Sequence, residues 1–131
     1  MEAVKLDARE VEVVREFTKY AEELYTKYKS FAENLIAVKQ LPENYEELKG
    51  KLWMLACELH STTQLRVTKK KKLIDRNHLA SRADFIDIMF VRLYEITRYA
   101  ALVEPYIDSE IKYDIQELCF KMREVAREIV K

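Results

Sequence analysis

From residue 14 the apolar positions advance by three and four: Val14, Phe17, Ala21, Leu24, Tyr28, Phe31, Leu35, Val38. A ridge with that spacing stays on one side of an α-helix over its whole length, and it can be buried only against other helices. Leu41-Pro42 interrupts the ridge, because the residue before a proline is pushed out of helical geometry. A second stripe follows at Tyr45, Leu48, Leu52, Leu55 and Leu59, with Trp53 and Ala56 beside it. Asn77 is the expected N-cap of a third helix, with Ser81 and Asp84 as the alternative cap. Its stripe reads Leu79, Ala83, Ile86, Phe90, Leu93, Thr97, Ala100, and Pro105 ends it. Asp108 caps the last helix, whose stripe is Ile111, Ile115, Leu118, Met122, Val125, Ile129. No segment alternates with a period of two strongly enough to predict a strand. Four helices with short connections pack antiparallel in sequence order. The expected fold class is therefore all-α: an antiparallel up-and-down four-helix bundle filling residues 1–131 as one domain.

Composition removes whole classes of function. Gly50 is the only glycine, so no glycine-rich phosphate loop, dinucleotide fingerprint or nucleophile elbow can be built. Lys plus Arg equals Asp plus Glu at 23 each, which speaks against a uniformly basic nucleic-acid coat. The distribution is uneven, however. Residues 61–82 hold seven basic groups against one acidic group, Asp75. Cys57 and Cys119 lack metal-type spacing, and their plain reading is a buried pair of reduced thiols. No apolar run has the length of a membrane span and the first residues contain no signal-peptide core, so a cytoplasmic protein without membrane contact is expected.

The apolar faces are wider than one bundle seam requires. Val11, Val13, Tyr20, Tyr25, Ala32 and Ile36 flank the first stripe, Met89, Val91, Tyr94 and Ile96 the third, and Cys119 and Phe120 the fourth. Excess apolar surface points to self-association, against the alternative that long side chains merely flank the seam. Tyr94, Tyr99, Tyr106 and Tyr113 gather near the third corner, where packing is the plain reading and base stacking the functional one. Trp53 reads as packing in the same way.

The most distinctive local feature is Lys69-Lys70-Lys71-Lys72, flanked by Arg66, Arg76 and Arg82. Successive helical residues point about 100° apart. A lysine run inside the bundle would thus drive at least one unpaired charge toward the core, at a cost of several kcal/mol. The run belongs at the end of the second helix or in the link to the third. At the helix end it would meet the negative end of the dipole, which needs no ligand. Its functional reading is contact with phosphate backbone, which asks for several cations on one surface.

Metal and catalytic readings are weak. Only His60 and His78 are available, Asp75-x-x-His78 lies beside the lysines, and Glu58 and His60 face different ways. No cofactor or metal is expected. Asp84-x-x-Asp87 invites comparison with all-α Mg²⁺-dependent nucleotide pyrophosphatases, but Glu22-Glu23 and Glu46-Glu47 each lack a third glutamate one turn on. His60-Ser61 cannot found a hydrolase by adjacency alone.

The segment Ala83–Lys131 resembles the last two helices of small four-helix-bundle proteins encoded in 23S ribosomal RNA intervening sequences. It also resembles their relatives, the accessory variability determinants of diversity-generating retroelements. The likeness rests on Ala83-Asp84, Arg92-Leu93-Tyr94, the corner Tyr106-Ile107-Asp108-Ser109-Glu110, and Leu118 with Met122-Arg123. It implies a homo-oligomer acting as an adaptor for nucleic acid and a reverse transcriptase, with cationic contacts sought in Arg66–Arg76. The functional expectation is a non-enzymatic, self-associating helical adaptor that contacts RNA or DNA through residues 66–82. The alternative is a structural protein–protein interaction module, and the remote one is the pyrophosphatase.

Overall fold

The computed structural model describes residues 3–37, 45–106 and 109–130, with the side chains of 31–37, 45, 106, 109 and 130 outside that description. Helix α1 covers Ala8–Ala37 and α2 Tyr45–Thr63. Three short strands follow: β1 (Arg66–Val67), β2 (Leu73–Asp75) and β3 (His78–Leu79). Helix α3 (Arg82–Ile86) runs through a π-helical turn (Asp87–Arg92) into α4 (Leu93–Val103). The backbone is right-handed helical at both junctions, so the three pieces make one rod. A 3₁₀ turn at Glu104–Tyr106 precedes α5 (Ser109–Arg127). Helix α1 packs on α2 and α5, and α2 packs on α4.

The α1 stripe is buried as its spacing dictates: Val14, Phe17, Ala21, Leu24 and Tyr28 all lie in the core. So do Leu48, Leu52, Leu55 and Leu59 of α2, and Ile115, Leu118, Met122 and Val125 of α5. Phe31, Leu35 and Val38 of the expected first stripe, the Leu41-Pro42 break and the Asp108 cap lie outside the described residues or side chains. Much of the surplus apolar surface turns out to be core. Val11, Val13, Met89, Ile96 and Cys119 are buried, and Tyr20 and Tyr25 pack against them.

The third stripe needs correction. The buried positions are Phe85, Ile88, Met89, Leu93, Ile96, Ala100 and Val103, while Leu79, Ala83 and Ile86 are exposed. The wider π-helical turn at Asp87–Arg92 shifts the face by a fraction of a turn, and a strict 3.5-residue repeat cannot follow that step. The helix opens at Ser81, not Asn77. Asp84 N–H donates to Ser81 Oγ at 3.1 Å and Ser81 N–H donates to Asp84 Oδ2 at 2.9 Å, a reciprocal capping box.

The expectation of an all-α bundle is overturned by the link between α2 and α3. It forms a three-stranded antiparallel sheet in the order β1-β2-β3, with Val67 opposite Leu73, Ile74 opposite both Arg66 and Leu79, and Asp75 opposite His78. The two turns explain why the sequence does not announce these strands. Arg76 and Asn77, at φ 53° and 68°, make the two-residue β2–β3 turn, and Lys71 at φ 62° closes the β1–β2 turn. Left-handed backbone is the usual province of glycine, and here the chain reaches it with lysine, arginine and asparagine. The ribbon is fixed to the core by Leu65, Leu73 and Ala80, all buried.

The ribbon covers one end of the helices, where α1 begins, α2 ends, α3 begins and α5 ends. An extended N-terminal segment crosses it. Val4 N–H donates to the Ala80 carbonyl at 2.8 Å and Leu6 N–H to the Lys71 carbonyl at 2.7 Å, while the Val4 and Leu6 side chains are buried. That crossing also places Lys5 opposite Lys72.

Candidate nucleic-acid interface

The lysine run occupies the tip of the β1–β2 hairpin. Lys71 N–H donates to the Thr68 carbonyl and Thr68 N–H to the Lys72 carbonyl, both at 2.9 Å, and Lys72 N–H donates to Thr68 Oγ1 at 3.1 Å. Three interlocking bonds therefore hold a five-residue loop, and the lysine side chains radiate from it. Lys69, Lys70 and Lys71 are exposed and Lys72 is half-buried. The second helix ends at Thr63, six residues before Lys69. A helix dipole acts only over its last turn, so it does not account for the run.

Lys5 joins the four lysines around one shallow depression that no carboxylate of the described residues lines. The adjoining groove between α1 and the hairpin is lined by Ala8, Val11, Glu12, Arg15, Val67, Thr68, Lys69 and Lys71. Glu12 is the one acid there, and Arg15 holds it at 3.0 Å. Among the described residues none of Lys5 and Lys69–Lys72 forms an ion pair. Lys5 and Arg15 escape a reading of the sequence alone. The alternation Val4-Lys5-Leu6 is the available signal, since it buries two neighbours and turns the lysine outward.

The three arginines do not join the tip. Arg66 and Arg76 stand at the other end of the ribbon beside α2, where Arg76 Nη2 donates to Ser61 Oγ at 2.9 Å and Arg66 Nη2 to Asn77 Oδ1 at 3.4 Å. Arg82 donates to Glu10 Oε2 at 2.6 Å and lies over the Phe85 ring. The single acid of the segment, Asp75, faces away from the lysines and takes a forked contact from Arg92 at 2.9 and 3.5 Å. One basic stretch of sequence is thus divided into a lysine tip, an arginine base and a paired arginine.

Other candidate residues are placed elsewhere. Asp84 is the capping carboxylate, held below the usual carboxylate range first by the Ser81 backbone N–H and then by its hydroxyl. With Asp87, Glu58, Asp75 and Glu95 it borders a groove that also contains Arg76 and Arg92. Among the described residues no cluster of His, Cys, Asp or Glu is arranged to hold a metal ion. Cys57 is exposed, which corrects the expectation of two buried thiols. Cys119 is buried, and loss of solvent pushes its thiol up to about 11. Trp53 is 69% exposed, as is Tyr113, and Tyr94 is 65% exposed, so none of the three is the packing residue expected.

No family model, curated protein or solved structure matches the chain. Nor is any helix of the described residues long and apolar enough to cross a membrane.

Proposed function

We propose that the chain is a non-enzymatic, self-associating helical adaptor that holds nucleic-acid phosphates on the surface made by Lys5 and Lys69–Lys72. The observation that carries this reading is a lysine-dense hairpin tip around a depression that no carboxylate of the described residues lines, the nearby Glu12 being held by Arg15. A cationic surface left uncompensated is repelled by itself and gains free energy only when anions approach. Phosphates spaced along a flexible strand satisfy it with no need for directional fit, and the binding is driven by counterion release. Arg82 contributes less here because Glu10 already neutralises it. Trp53, Tyr113 and Phe120, all more than half exposed, support self-association, which would gather several tips and raise affinity through multivalency.

The test is RNA binding across a salt series with wild type and a Lys69–Lys72→Ala quadruple variant. Affinity falls with salt in the wild type, and the log–log slope flattens by about 3 in the variant, near 0.7 for each single-strand phosphate that is no longer neutralised. Binding that ignores both salt and the substitution overturns the reading. A second reading, a structural module that docks other helices, is favoured by Trp53 and Met54, both exposed on the face of α2 where a Cβ added at Gly50 would also meet nothing. Light scattering with and without a short RNA separates the two. A reverse transcriptase partner belongs to the first reading and would be sought by co-purification.

A further inference from the structure

The arginine base of the ribbon has a chemistry of its own. His60 and Ser61 from the last turn of α2, Gln64 just beyond it, Arg66 from β1, and Arg76 and Asn77 from the β2–β3 turn line a depression of about 420 Å³. No carboxylate of the described residues lines it. The Asp75 carboxylate, one residue from Arg76, is bound to Arg92 on the third rod.

What holds the two guanidinium groups matters more than their number. Arg82 and Arg92 are tied to carboxylates at 2.6 and 2.9 Å, and their charge is cancelled. Arg66 and Arg76 are tied to the neutral oxygens of Asn77 and Ser61. Each such bond uses one of five N–H donors and forms no ion pair, although Arg76 also borders the groove that Glu58, Asp75, Asp84, Asp87 and Glu95 line on its other side. The end of a helix would ordinarily repel an anion through its free carbonyls. Here three of the last four carbonyls already have donors. Thr63 Oγ1 donates to His60 O at 2.6 Å, Gln64 N–H to Ser61 O at 3.2 Å and Leu65 N–H to Thr62 O at 3.3 Å. The exposed His60 ring is steadied against Tyr25, with centroids 5.7 Å apart.

We propose that His60, Arg66 and Arg76 form a binding site for a phosphate group, separate from the lysine tip. Two forked guanidinium groups with unused donors, flanked by neutral hydroxyl and amide donors from three elements, suit a tetrahedral dianion. The cavity leaves room for a small attached group. Such a phosphate is found on a free phosphorylated metabolite or at the 5′ end of a nucleic acid, and the site's chemistry is the same for both.

The experiment is an NMR titration of the full chain, following the His60 ring signals, with inorganic phosphate, ribose 5-phosphate, and a tetranucleotide with and without a 5′-phosphate. Saturable shifts with inorganic phosphate at a Kd of about 1 mM or tighter are expected, and Arg66→Gln and Arg76→Asn should each weaken them about tenfold, a loss of ~1.4 kcal/mol. Asparagine tolerates the left-handed backbone at position 76, so Arg76→Asn removes the charge while keeping the turn. Lys19→Ala, on the exposed face of α1, should leave the titration unchanged. A 5′-phosphorylated tetranucleotide that binds tighter than both its 5′-hydroxyl form and ribose 5-phosphate assigns the site to nucleic-acid ends. Equal binding of ribose 5-phosphate assigns it to free phosphomonoesters. The proposal is overturned if phosphate produces no saturable shift, or if the shift persists unaltered in both arginine variants. Loss of RNA affinity in the lysine variant has no bearing on this readout, so the two sites fail independently.

Discussion

The helical rods and the ribbon that caps them are stabilised in different ways. In α1, side chains such as Phe17 and Leu24 are completely buried, and each removes a large apolar area from water. The ribbon has strands of only two and three residues, and a few buried anchors attach it to the core. Its shape is maintained by backbone hydrogen bonds and by the forked Arg92–Asp75 pair. The rods therefore tolerate little change in volume, whereas the ribbon tolerates little change in polar partners. The lysines at its tip share in the backbone bonds that hold the loop, while their side chains line a depression with no carboxylate of the described residues.

The sharpest way to break this contrast is to empty the core. Phe17→Ala should destabilise the whole molecule by about 3–5 kcal/mol, seen as one cooperative shift in chemical denaturation. A variant that lost only the ribbon would contradict the assignment of Phe17 to the common core.

A smaller and more local effect is expected at Arg92. Both partners of its pair are largely shielded, with side-chain exposures of 12% and 20%. Arg92→Ala should cost about 1–3 kcal/mol by leaving Asp75 unpaired. Hydrogen exchange should locate most of the loosening in residues 66–79, and Arg92→Lys should recover it only in part, because an ammonium cannot make the fork. Uniform loosening of α1 and α2 would show that the ribbon is not a separately supported unit.

The smallest effect is expected at the cap joining the two regions. Ser81→Ala should cost about 1 kcal/mol. The Asp84 half of the cap also carries a pH signature. Its carboxyl is lowered in the folded chain, so its contribution is complete above the ordinary aspartate value of about 3.9 and disappears as pH falls through the folded value. Acid titration of wild type and Asp84→Asn should diverge only over that window. Identical acid profiles would remove the cap from the account.

Legibility follows the same division. The stripes of α1, α2 and α5 are readable because burial repeats with the helix period and every step is local. The third rod is readable from Leu93 onward, and the π-helical turn before it breaks the register that Leu79, Ala83 and Ile86 would continue. The ribbon escapes a sequence reading because its turns use Lys71, Arg76 and Asn77 in a backbone region usually marked by glycine. Asn77 is the one available hint, and it fits a helix cap equally well. The candidate site is legible only in part. Lys69–Lys72 can be kept out of the helices by charge alone, yet nothing local separates them from Arg66 and Arg76, which turn toward α2, or from Arg82, which turns to Glu10.

The amino-acid order by itself determined that apolar ridges would pack as rods and that four adjacent lysines could not lie within them, since both follow from periodicity and the cost of burying charge. Only the tertiary structure decided which cations stay unpaired. Lys5 reaches the tip because the extended N-terminal segment crosses the ribbon, and Asp75 leaves it because Arg92 lies on a rod behind. Electrostatic free energy depends on distances through space, and the distance between residues 5 and 72, or 75 and 92, is fixed only when the chain has folded.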